Sequence, residues 1–69
     1  MINTPKNLIR PEVTLVGEDG NAFSILGRAS NALYEAGNSK EVVGQFMQEA
    51  MDGDYNHLLV TVMEYCEVE

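Results

Sequence analysis

The sequence has no tryptophan, one cysteine, one histidine and four basic residues in 69 positions, and each scarcity removes a class of function. Cys66 stands alone, so an intrachain disulfide cannot form. Cys66 and His57 together fall short of the ligands that a zinc centre takes from one chain. Four Lys and Arg stand against eleven Asp and Glu, for a net charge of −7. Direct nucleic-acid binding depends on basic side chains neutralising phosphates, so none is expected, and an anionic membrane surface is disfavoured for the same reason. No stretch approaches the roughly 18 consecutive apolar residues of a membrane span. The opening "MINTPKNLIRP" lacks the basic start and apolar run of a leader peptide. A lone thiol fits a reducing interior, and a cytoplasmic location is expected.

What is present describes one small domain. A core of this size supplies only about 3–5 kcal/mol unless something staples it. With no disulfide, and no metal or other cofactor expected, self-association is the remaining staple, and a homodimer is expected. The charge is lopsided. Residues 1–34 balance Glu12, Glu18 and Asp19 against Lys6, Arg10 and Arg28, whereas residues 35–69 carry eight acids against Lys40 alone.

Residues 1–11 hold two prolines, two asparagines and no periodicity, which predicts a flexible arm, with residues 12–69 as the domain. "EVTLVG" (12–17) reads as a short β-branched strand, and "EDGN" as a turn with Gly20 suited to a positive φ. In "NAFSILGRASNALYEAG" the residues Ala22, Ile25, Leu26, Ala29, Ala32, Leu33 and Ala36 fall on one helical face, with Asn21 as N-cap and Gly37 as stop. Gly27 in mid-helix costs about 1 kcal/mol relative to alanine, a price acceptable where another backbone must approach. A second helix follows, capped by Ser39, carrying Glu41 in its first turn, and ended by Gly53, with the stripe Val42, Val43, Phe46, Met47, Ala50 and Met51. The short connection makes these helices antiparallel neighbours.

"DYNHLLVTVMEYCEVE" admits two readings. As a helix capped by Asp54 it aligns Tyr55, Leu58, Leu59, Val62, Met63 and Cys66. As a strand it aligns Leu58, Val60, Val62, Cys66 and Val68, spoiled by Glu64. Cap and spacing favour a helix over 55–65, which leaves "CEVE" free to pair with "VTLVG". The fold class is therefore mainly α within a small α+β domain: an N-terminal strand, three short helices and a tail that pairs with the strand.

"DGDYNH" (52–57) invites a calcium reading, since Asp52, Asp54 and Asn56 alternate as loop ligands do. The sixth position must be glycine and is His57; the twelfth should be glutamate and is Met63. A corner explains it better, Gly53 stopping one helix and Asp54 capping the next. His57 then lies in a first turn, at the surface or bonded to a nearby carboxylate, with Asp52 and Asp54 closest in sequence. Cys66 falls on the apolar stripe beside Glu64 and Glu67, which favours a buried thiol over a reactive one. "GEDG" (17–20) matches the spacing of a nucleotide-clamping loop, yet its two acids would repel phosphate. Met47, Met51 and Met63 fit core stripes better than an adaptable binding surface.

The segments "LVGEDGNAF" (15–23) and "GDYNHLL" (53–59), joined by glycine-bounded helices, resemble a family of short uncharacterised proteins of bacteria and their phages. The resemblance covers about residues 12–69 and implies a self-contained domain of such origin, with no activity or site residue to transfer.

The expected function is a small, non-enzymatic, self-associating protein-interaction domain. Its candidate surface comprises Tyr34, Tyr55, His57 and Tyr65, since tyrosine is enriched at interfaces, with Glu35, Glu49, Asp52, Asp54 and Glu64. One alternative is an acidic decoy whose spaced carboxylates imitate nucleic-acid phosphates toward a host protein. The other is an enzyme whose site is shared between subunits.

Overall fold

Three side chains start the three helices. Asn21, Ser39 and Asp54 each hold extended backbone and accept a hydrogen bond from a first-turn amide: Phe23 at 2.8 Å, Val42 at 3.3 Å and His57 at 2.9 Å. In this computed structural model, which describes residues 2–69, they open α1 (Ala22–Glu35), α2 (Lys40–Ala50) and α3 (Tyr55–Tyr65). Two strands of two residues each, β1 (Glu12–Val13) and β2 (Glu67–Val68), flank the helices in sequence. They pair in parallel, Glu12 opposite Glu67 and Val13 opposite Val68. The domain is thus mainly α, with a small parallel ladder joining its two ends.

Each helix ends differently. After α1, Gly37 takes φ +104°, its amide donates to the Tyr34 carbonyl, and the Asn38 amide donates to that of Leu33. This paired closure needs a left-handed residue at Gly37, as the sequence predicts. At the end of α2 the Met51 amide donates to Met47 and that of Asp52 to Glu49, with no left-handed residue. Gly53 is needed for another reason: a Cβ there would lie 2.8 Å from Cβ and Cγ of His57. Beyond α3 the chain turns extended at Cys66, and Arg10 covers the exposed helix end. Its guanidinium donates to the carbonyls of Met63 (2.8 Å) and Cys66 (3.0 Å) and to the Glu67 carboxylate (2.7 Å).

The core gathers Ile25, Leu26, Ala29 and Leu33 of α1, Phe46 and Ala50 of α2, and Leu58, Val62 and Tyr65 of α3, closed by Val13 and Cys66. At its centre the Phe46 and Tyr65 rings meet edge to face, 5.2 Å apart at 63°.

Several sequence expectations shift. The strand is shorter than "EVTLVG", because Leu15 and Val16 share the single Glu69 carbonyl at 2.9 and 3.3 Å and the ladder ends there. Gly17, at φ +79°, supplies the left-handed turn expected of Gly20. Among the described residues no backbone approaches Gly27, whose absent Cβ would meet open space. Residues 2–11, expected to be a flexible arm, instead lie against the domain (Met1 lies outside the described residues). Ile2 and Leu8 pack on the core, and the buried Asn38 side chain grips Ile9 through both its amide (2.9 Å) and its carbonyl (2.8 Å). The buried face of α3 is Leu58, Thr61, Val62 and Tyr65, one position round from the expected stripe, so Tyr65 points inward and Met63 outward. The helix is apolar on nearly every side, so packing against α1 and α2, with Phe46 against Tyr65, fixes its rotation.

Candidate interaction surface

α1 and α2 run side by side, and α3 covers only one side of the pair. The uncovered side begins at Phe23, the second residue of α1, which its first-turn position turns away from the stripe built on Ile25, Leu26 and Ala29. Phe23 is 81% exposed, an unusual state for a phenylalanine. It stands between two grooves that share Leu26 as floor. One, of about 280 Å³, runs toward α3 past Met51, Tyr55 and Asp54. The other, of about 490 Å³, runs between α1 and α2 past Gly27, Met47, Tyr34 and Lys40. Met51 (60%) and Tyr34 (59%) stand well out of the surface, and the Tyr55 hydroxyl donates to the Gly20 carbonyl at 2.7 Å, holding its ring against the wall.

Met47 and Met51 are therefore surface residues. Two helices can bury only part of a stripe as wide as 42, 43, 46, 47, 50 and 51, and Val42, Phe46 and Ala50 took the interior. Met63 is likewise exposed, on α3.

The electrostatics of this face contrast with those of the whole chain. Of the described residues that line one groove or the other, only Asp54 in the first and Lys40 in the second are charged. On another side, Glu49 of α2 and Asp52 just beyond its end border a separate hollow of about 250 Å³ with Gln45 and Gln48. Other carboxylates are engaged nearby: Glu18 pairs with Arg28 at 3.2 Å and Glu67 with Arg10 at 2.7 Å. Asp19 accepts from the Asn21 amide and the Ser24 hydroxyl, which with the more distant Arg28 hold its carboxyl below the usual range, against slight desolvation.

The residues expected to form one surface are thus divided. Tyr34, Tyr55 and Asp54 line the grooves. Tyr65 is fully buried and takes no part in any surface, a correction that follows from the rotation of α3. Among the described residues its hydroxyl finds no bonding partner within hydrogen-bond geometry; burial, then the Glu49 charge, raise its pKa, with the Gln45 side chain pulling the other way. His57 bonds a carboxylate, but that of Glu49, neither Asp52 nor Asp54: Nε2 lies 2.9 Å from both the Glu49 carbonyl and its Oε2. Both are acceptors, so Nε2 carries the proton and ties the end of α2 to the start of α3. Glu35 edges a polar hollow beside Arg28, and Glu64 is exposed on α3. Phe23 was missed. Its signal was an aromatic residue set off the apolar stripe of its own helix.

Among the described residues no three His, Cys, Asp or Glu side chains gather as a metal set, and none of the helices is long and apolar enough to cross a membrane. Asp54 of the "DGDYNH" corner spends its carboxylate on the α3 cap. Burial pushes the Cys66 thiol up to about 11 despite the nearby Arg10, so it stays protonated at neutral pH. The chain matches no protein-family model, no curated protein and no solved structure.

Proposed function

We propose that the protein is a small non-enzymatic interaction module that presents the Phe23 face to another polypeptide chain. The observation that carries this reading is the exposure of Phe23 between two apolar grooves on a chain whose net charge is −7. Single exposed apolar residues are ordinary, but a continuous one flanked by methionine and tyrosine is the composition of binding surfaces. Rigid aromatics contribute contact area at low entropic cost, and methionines adapt to what they meet. The acidic-decoy reading is less well supported, because two acids of residues 35–69, Glu49 and Glu67, are already engaged by His57 and Arg10.

The test is site-specific photocross-linking in cells, with a benzophenone side chain at position 23 and, as control, at position 48 on the acidic side. The expected result is polypeptide adducts from position 23 and none from position 48. Equal yields at the two positions, or none at either, overturn the reading.

A further inference from the structure

We infer that the occupant of this face is a second copy of the same chain, docked about a two-fold axis with α2 antiparallel to its counterpart. The inference rests on the interaction reading above and names its partner. A two-fold interface places the same patch on both subunits, so whatever charge lies at one end meets what lies at the other. The groove face meets that condition: its two charges are one cation, Lys40, at the first residue of α2, and one anion, Asp54, just past the end of that helix. Antiparallel docking brings each Lys40 to the Asp54 of the other copy. Met47 lies midway between them in sequence, and Met47 of α2 with Met51 at its C-cap forms the exposed ridge that then crosses the axis.

Repulsion narrows the choice further. Two chains of −7 each repel, and a face whose lining charges cancel, as here, adds least to that repulsion. A basic partner would instead be drawn to the acidic side of α2, around Glu49 and Asp52. The area such a contact needs is a modest share of the surface. A standard interface takes about 800 Å² from each partner, a little under a fifth of the 4469 Å² this chain exposes. By their residue counts, α1 and α2 present two rods about 21 and 16 Å long side by side. The open space above Gly27 leaves room at the groove floor for a side chain of the other copy.

Sedimentation equilibrium on the full chain, from micromolar to millimolar protein, reads the proposal. Wild type should form dimers and nothing larger, since a two-fold contact closes on itself. Association should tighten more than about tenfold between roughly 10 mM and 150 mM salt, because screening relieves the like-charge repulsion. A contact made by acids with a basic partner moves the other way.

Phe23→Glu should leave a folded monomer, since an acid in the first turn of α1 suits the helix dipole. Lys40→Glu also suits its helix start, yet it sets acid against acid across the axis and should weaken the dimer about tenfold or more. In an Asp54→Asn background, which keeps the α3 cap, that loss should shrink. Met47→Cys should form an intermolecular disulfide under mild oxidation and Gln48→Cys should not, with the buried Cys66 silent in both.

If wild type stays monomeric while position 23 still cross-links to other proteins, the second copy is wrong and the docking reading stands. If both fail, both fall. A dimer indifferent to Phe23→Glu, or one in which Gln48→Cys cross-links as readily as Met47→Cys, uses a different face and overturns the proposal.

Discussion

Removing the Asn38 side chain should cost more than any surface substitution in this protein. Asn38 is 6% exposed and its amide makes three bonds: Oδ1 accepts from the Ile9 amide at 2.9 Å, and Nδ2 donates to the carbonyls of Ile9 and Leu33, each at 2.8 Å. It therefore pairs with Ile9 as a neighbouring strand would, while also serving the end of α1. A hydrogen bond contributes about 1 kcal/mol net, more where a buried group is stranded. The Leu33 carbonyl keeps its bond from the Asn38 amide, and the half-exposed Ile9 can rehydrate in part, so both limit the loss. Asn38→Ala should then cost about 2–3 kcal/mol. For a domain expected to hold roughly 3–10 kcal/mol in all, that is a large fraction.

In a domain this small, such a loss lowers Tm by about 10–20 °C. Urea and thermal melts followed by far-UV circular dichroism measure it. Amide exchange at Ile9 identifies the cause, since its N–H should lose protection before the helices do. Asn38→Asp is sharper still, because it turns a carboxylate oxygen toward two carbonyls. That carboxyl would titrate above its unfolded value near about 3.9. Its extra penalty should therefore be absent below that pH, where a protonated carboxyl donates, and grow as pH rises through the folded value. A loss below about 0.5 kcal/mol for Asn38→Ala, within the range of ordinary surface changes, would refute the assignment.

Two glycines should respond to alanine in opposite directions. Gly27→Ala meets open space within the chain and should stabilise the monomer, measured at low protein concentration, by about 0.5–1 kcal/mol, whereas Gly53→Ala drives a Cβ to 2.8 Å from the His57 ring and should destabilise by about 1–3 kcal/mol. Chemical denaturation of both, with His57→Ala relieving only the ring part of the second because its Cβ remains, tests the contrast. Arg10→Met keeps the aliphatic stem but uncovers the carbonyls of Met63 and Cys66. The same melts should show a loss of about 1–2 kcal/mol, of which the exposed pair with Glu67 supplies the lesser part. At the acid end, the depressed Asp19 carboxyl contributes stability above its unfolded value, lost as pH falls through the folded one, and Asp19→Asn should flatten that limb. At the alkaline end, the buried Cys66 thiol contributes stability below its ordinary value of 9.0, lost as pH rises toward about 11, and Cys66→Val should blunt the fall.

Much of the architecture was legible because its signals are local. Asn21, Ser39 and Asp54 announce helix starts within three residues of themselves, and the Gly37 stop is equally local. The candidate surface was harder to read. The sequence marks Met47 and Met51 as apolar, but whether an apolar residue of a wide stripe goes inside depends on how many helices pack around it. The His57–Glu49 link joins residues eight apart, across a corner whose angle no local pattern encodes.

The sequence by itself determined three helices and their caps, the charge asymmetry and the departure of "DGDYNH" from calcium-loop spacing, since capping, periodicity and ligand spacing are relations between near neighbours. Tertiary structure alone decided which face of α3 is buried, that Tyr65 lies in the core, and that residues 2–11 are held by Asn38 and Arg10. It also left Phe23 uncovered. Those outcomes depend on contacts between residues far apart in the chain, where each apolar side chain competes with every other for a limited interior.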